Sequence, residues 1–280
     1  MNLIPKVIYQ SWGTKKLSPL MSKNVELIKS LNPEYEYKLY DDSDCRKFIL
    51  DNFGVNYANA FDALIPGAFK CDFWRYAVLY VNGGVYLDMD MEPLFPFKNI
   101  LKDSDQFLSV ADQENGIDKI TGIYQAFIAC RPRHPILLYS LQLSFSNIVT
   151  RRLTINSLDI TGPTVMGVAF NLYFKNSKTY SPIKGGDYGD GVRLLSMSPK
   201  HTFDLHGRVI FNNKYDGYDR GPNNYTRSVN YYIDCPWGKS SIIHSFVSRF
   251  GQNMLTILII LVILAIGIYM YCKKKRIKLD

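Results

Sequence analysis

Asn82-Gly-Gly-Val-Tyr-Leu-Asp-Met-Asp-Met91, with Cys71-Asp-Phe-Trp-Arg-Tyr76 shortly before it, decides the fold. The alternation after Gly84 predicts a strand in which Tyr86, Asp88 and Asp90 share one face and Val85, Leu87, Met89 and Met91 the other. Two carboxylates on one side of a strand whose other side is apolar are hard oxygen ligands, suited to Mg²⁺ or Mn²⁺. A metal held by one or two carboxylates commonly completes its shell with substrate phosphates, which points to a phosphorylated donor. Upstream, residues 68–81 read as a helix, with Phe69, Phe73, Tyr76, Ala77 and Tyr80 at core-facing spacing and Asp72 and Arg75 meeting on a different side. Gly83 and Gly84 supply the positive φ that turns this helix into the strand.

Read in full, Cys71-Asp72-Phe-Trp-Arg75-Tyr76-Ala-Val-Leu79-Tyr80-Val-Asn-Gly83-Gly84-Val-Tyr86-Leu-Asp88-Met-Asp90 resembles the D-x-D region of GT-A glycosyltransferases, and its spelling is closest to glycosyltransferase family 32. That family includes initiating mannosyltransferases and those acting on inositol phosphoceramide. Ile4-Pro-Lys-Val-Ile-Tyr-Gln-Ser-Trp12, Asn32-Pro-Glu-Tyr-Glu-Tyr-Lys-Leu-Tyr-Asp-Asp42, Arg133-His-Pro-Ile136 and Thr161-Gly-Pro163 resemble further segments of the family in the same order. Tyr9 stands where a His is usual, Tyr124-Gln125 where an Asn is common, and Ser245–Phe250 lacks the usual terminal Trp.

The resemblance implies a GT-A-type α/β nucleotide-sugar-binding domain with a mixed, largely parallel sheet over residues 1–250. It implies a retaining, metal-dependent transferase that moves a hexose, mannose first, to a hydroxyl of a glycolipid or glycan. GDP-mannose is the expected donor and a UDP-hexose the second. Asp88 and Asp90 would hold Mn²⁺ or Mg²⁺ and the diphosphate, with His244 as a third metal ligand. Asp72 and Arg75 would bind the sugar, and Thr161 and Gly162 would shape the donor or acceptor loop or else only form a turn. Trp12, after the first strand, would stack on the base or else fill the core. Asp41 and Asp42 are open between touching the base and ending a strand. Two alternatives stand beside transfer: a nucleotide-sugar hydrolase, and a non-catalytic glycan-binding protein that keeps the fold.

Composition frames these readings. The 280 residues can bury one good-sized core, and 47% hydrophobic and 14% aromatic content suits it. The net charge of +8 does not indicate nucleic-acid binding, since the tail at 273–280 alone carries five positive charges and one negative. Five cysteines show no metal-ligand spacing and read as free thiols. Residues 254–272 carry no charge over 19 positions, the length of a membrane-spanning helix, with Tyr269, Tyr271 and the basic tail 273–280 at one end. No signal-peptide pattern is evident at the N-terminus. The expectation is a single-pass endomembrane protein, with the cytosolic side slightly preferred for the catalytic domain. Asn224-Tyr-Thr226 is a built-in glycosylation reporter of that orientation.

The remaining pattern predicts strands at Val7–Ser11, 35–40, Phe107–Ala111 and 126–129. Helices are predicted at Pro19–Leu31, 45–52, 135–148 and 164–174, with loops at 175–192 and 212–228.

Overall fold

The computed structural model describes residues 3–112, 122–152, 157–175 and 182–216. In chain order its elements are β1 (Val7–Ser11), α1 (Pro19–Leu31), β2 (Glu36–Tyr40), α2 (Asp42–Phe53), α3 (Val55–Ala63), α4 (Gly67–Asn82), β3 (Gly84–Leu87), β4 (Glu92–Pro93), β5 (Phe107–Ala111), β6 (Ile123–Cys130), α5 (Pro135–Val149), α6 (Pro163–Tyr173), β7 (Gly186–Asp187), β8 (Val192–Met197), β9 (His201–Phe203) and β10 (Val209–Asn212). The strands form one sheet in the order β2-β1-β3-β6-β5-β8-β9-β10-β4, with β7 added on β8.

The sheet is mixed, as expected, but it is not largely parallel. β1 pairs in parallel with β2 and β3, and β5 with β8. The other pairs among the described residues are antiparallel. The cause lies in the connections. Helical crossovers return the chain parallel at the β2-β1-β3 end, whereas short turns join β8, β9 and β10 and force antiparallel neighbours.

Each face of the sheet buries its own core. Tyr86 joins Trp74, Tyr76, Phe107 and Ile128 under α4, α5 and α6. Val85 and Leu87 join Ile8, Val110, Phe127 and Phe211 on the opposite face, where Ile28 of α1 packs. This is the predicted alternation of β3, and it places the end of β3 between two packed layers. Gly83 and Gly84 have φ of 64° and 106°, and a Cβ on Gly84 would lie 2.7 Å from the Val7 carbonyl. No larger residue fits that turn unstrained.

Among the described residues no helix is long and apolar enough to cross a membrane. Residues 254–272, the tail 273–280, His244, Asn224 and the boundary at 250 lie outside the described residues.

Candidate active site

β3 ends at Leu87, earlier than the alternation suggested, and Asp88 to Met91 form a turn. The Asp88 N–H donates to Ala126 O at 2.8 Å, and the Met91 N–H closes the turn on Asp88 O at 3.2 Å. Asp88 and Asp90 therefore are not held together by sharing a strand face. A tight turn brings both to the edge of one cavity of about 580 Å³. Trp12, Asp42, Lys70, Cys71, Arg75, Tyr124 and Lys214 are among its other lining residues.

Two side chains unread in the sequence pin this turn. Asn24, on the buried side of α1, donates from Nδ2 to Met91 O at 2.9 Å and Met89 O at 3.3 Å. Gln10 donates from Nε2 to Asp88 O at 3.1 Å and is itself fixed by the Tyr37 hydroxyl at 2.7 Å. The available signal was an Asn set between Met21, Val25 and Ile28 at helical spacing, where a polar residue must find a buried partner.

Arg75 is the hub beneath the turn. It is 4% exposed and lines the cavity. Its NH2 group lies 3.1 Å from Asp88 Oδ1 and 3.3 Å from Asp72 Oδ1, and its NH1 group donates to Gln125 O at 2.8 Å. The guanidinium also sits 4.4 Å over the Tyr86 ring, and the Tyr86 hydroxyl donates to Asp88 Oδ1 at 2.5 Å. Cys71, where the family pattern has a small hydroxyl residue, contacts Ser11 Oγ at 3.0 Å and the Tyr86 hydroxyl at 2.9 Å.

Asp72, Thr161 and Gly162 are not among the residues lining that cavity. Asp72 accepts from the Thr161 hydroxyl at 2.9 Å. Burial pushes its carboxyl up to about 6, against the pull of Arg75 and of this hydrogen bond. The Tyr76 hydroxyl donates to Thr161 O at 2.8 Å, and Gln125 donates from Nε2 to both that carbonyl and the Tyr76 hydroxyl. Gly162 caps α6, where a Cβ would meet Leu158 O at 2.8 Å. Sequence reasoning placed Asp72, Arg75, Thr161 and Gly162 together; in the structure they are joined by hydrogen bonds and ion pairs, but of the four only Arg75 lines the cavity.

The two carboxylates differ. Asp88 is partly compensated by Arg75. The Asp90 carboxyl is raised to about 7, first by burial and then by the Asp88 charge, with Lys214 opposing. A half-buried acid beside another acid is what a cation would relieve. Among the described residues no cluster of three His, Cys, Asp or Glu forms a complete metal site. Asp41 and Asp42 divide their roles: Asp41 caps α2 by accepting from the Ser43 and Asp44 N–H groups at 3.0 and 2.9 Å, while Asp42 lines the cavity and takes Lys70 Nζ at 3.0 Å.

Comparison with known proteins agrees with this geometry. Residues 18–107, which span α1 to the start of β5, match the glycosyltransferase sugar-binding region containing the DXD motif. An uncharacterized glycosyltransferase, L373, of Acanthamoeba polyphaga mimivirus is 28% identical over 183 residues, covering 63% of this chain and 68% of that protein. Inositol phosphoceramide mannosyltransferase 2 of Schizosaccharomyces pombe is 38% identical over 88 residues, covering 31% of this chain and 25% of that protein. Mannosyl phosphorylinositol ceramide synthase CSH1 of Saccharomyces cerevisiae is 24% identical over 244 residues, covering 83% of this chain and 58% of that protein. Of these two yeast proteins, the chain thus spans only a quarter and somewhat over half. The residues matched include the whole turn that carries Asp88 and Asp90, and over that stretch the chain is similar to the DXD-containing glycosyltransferases.

Proposed function

We propose that this chain transfers a hexose, mannose in our reading, from a nucleoside diphosphate sugar to a hydroxyl of a glycolipid or glycan, on a GT-A-type domain and with retention of configuration. The single observation that carries the reading is the turn at Asp88 to Met91, which delivers two carboxylates to a cavity also lined by Trp12 and Arg75. The yeast relatives, named as inositol phosphoceramide mannosyltransferase and mannosyl phosphorylinositol ceramide synthase, support mannose as the sugar and a glycolipid as the acceptor.

In this proposal Asp88 and Asp90 would hold Mn²⁺ or Mg²⁺ together with the donor diphosphate, and His244, outside the described residues, would be a further ligand. When bound, such an ion supplies the charge that stabilises the departing nucleoside diphosphate. The raised Asp90 carboxyl fits that role, because a cation nearby favours its ionised form. Asp88 Oδ1 is taken by Arg75 and Tyr86, so a ribose hydroxyl or the ion would engage Oδ2. Trp12 stacks on the base. Lys214 adds positive charge near Asp90 and the phosphates. Arg75 contacts donor oxygens from the cavity wall, and Asp72 acts through Arg75 as a positioning residue with Thr161 and Gly162 behind it. The only carboxylates among the described lining residues are Asp42, Asp88 and Asp90, which supports same-face attack over a covalent glycosyl intermediate. The apolar segment 254–272 would hold the site beside a membrane acceptor, with the tail 273–280 at its end.

The test is transfer from GDP-mannose to inositol phosphoceramide by the detergent-solubilised full chain with Mn²⁺. We expect product, its loss in EDTA and its loss in Asp90→Asn. Sugar release at the same rate without acceptor would replace transfer by hydrolysis. No turnover of any nucleotide-sugar would leave the non-catalytic reading.

A further inference from the structure

We propose that Asp42 and Lys70 read the base of the donor and select guanine. This rests on the cavity being a nucleotide-sugar site and adds the residues that choose the nucleotide.

The fold brings them to the stacking residue. β1 and β2 are parallel neighbours with Ser11 opposite Tyr40, and the Trp12 N–H donates to Tyr40 O at 3.0 Å. The chain therefore leaves both strands side by side, Trp12 from one and Asp41-Asp42 from the other. Asp41 turns back into the α2 cap, where its Oδ1 accepts two backbone N–H groups. Asp42, at the first position of α2, makes no such bond and lines the cavity with Trp12. Its Oδ2 takes Lys70 Nζ at 3.0 Å, and Lys70, from the first turn of α4, lies 5.4 Å over the Phe61 ring. The side chains are 45% and 22% exposed. An open ion pair of this kind contributes little to folding, so stability does not explain its place on the cavity wall.

The pair offers two acceptors and one donor: the two oxygens of Asp42, with the Lys70 ammonium against Oδ2. The edge of guanine opposite to its sugar offers the complement: two donors, the exocyclic amine and the ring N1–H, followed by the O6 acceptor. The carboxylate takes both N–H groups and the ammonium reaches O6 beside Oδ2. Uracil presents acceptor, donor, acceptor, so one carbonyl would face a carboxylate oxygen with no proton between them. Adenine has an unprotonated ring nitrogen where the carboxylate needs a donor. A site built to take particular hydrogen bonds rejects analogues that leave its groups unpaired.

The experiment is isothermal titration of the detergent-solubilised full chain, with Mn²⁺, against GDP, IDP and UDP. IDP differs from GDP only in lacking the exocyclic amine. We expect GDP to bind at least tenfold tighter than UDP, with IDP between them. Asp42→Asn should remove the preference for GDP over both, and Lys70→Met should weaken GDP and IDP alike, with thermal melts reporting that both variants fold. Equal or tighter binding of UDP by the wild type, or an unchanged GDP to UDP ratio in Asp42→Asn, overturns base reading by this pair and leaves the donor site standing. Failure of all three nucleotides to bind the folded protein overturns the donor site and this inference with it.

Discussion

Asp72→Asn should make the protein more stable at neutral pH while making it a worse enzyme. Asp72 lies beside Arg75 with its side chain 13% exposed, and its carboxyl is raised from 3.8 to about 6 with desolvation as the largest cause. The attraction of Arg75 and the Thr161 hydrogen bond thus do not offset the loss of hydration. A carboxyl whose native pKa lies above its unfolded value binds its proton more tightly when folded. Its contribution is fully present below about pH 4 and is lost as pH rises through about 6. A shift of this size corresponds to about 3 kcal/mol over the whole window, of which about 1.4 kcal/mol falls between pH 5 and 7.5. Asn has the same shape and no charge. Its oxygen can face Arg75 while its amide donates to Thr161 Oγ1, since a hydroxyl also accepts. Arg75 keeps Asp88 as its counter-charge at 3.1 Å. Denaturant titrations at both pH values should show the variant gaining about 1.4 kcal/mol on the wild type between pH 5 and 7.5, and at least tenfold lower kcat/KM. If the variant tracks the wild type at both pH values, or loses more than about 1 kcal/mol at pH 7.5, burial does not dominate at Asp72 and the reasoning fails.

Arg75→Lys replaces a fork that reaches Asp72, Asp88 and Gln125 O by a single ammonium, so kcat/KM should fall at least tenfold in steady-state kinetics although the charge is kept. Asn24→Leu frees the Met89 and Met91 carbonyls and unpins the turn; we expect a loss of about 1–3 kcal/mol in denaturant titration and a fall in kcat/KM with unchanged far-ultraviolet circular dichroism. Gly84→Ala sets a Cβ 2.7 Å from Val7 O at a φ of 106°, and thermal melts should show a cost above about 2 kcal/mol.

Local pattern made much of this legible. β1, α1 and β5 begin and end where turn residues and periodicity put them, because Ser18 caps α1, Pro19 opens it and Asn32 closes it. The α4–Gly83–Gly84–β3 unit was readable for the same reason: each residue type is demanded by its own backbone. α3 was not seen, since nine mixed residues directly after Gly54 carry little periodicity. β8 was hidden by Arg193, whose charge interrupts an apolar run; only the fold brings Asp105 to it, at 2.7 and 2.5 Å. The site follows the same rule. Asp88, Asp90, Trp12 and Arg75 were found through one motif and one strand end. Asn24, Gln10 and Gln125 serve the site through bonds to distant backbone, which spacing in the chain does not encode.

We propose above that Asp88 and Asp90 make a divalent-cation-dependent nucleotide site. The most direct measurement is isothermal titration of nucleoside diphosphate into the full chain with and without Mn²⁺, for the wild type and Asp88→Asn/Asp90→Asn. Binding should need Mn²⁺ in the wild type and disappear in the folded double variant. Binding of equal strength without the metal, or in the double variant, would contradict it.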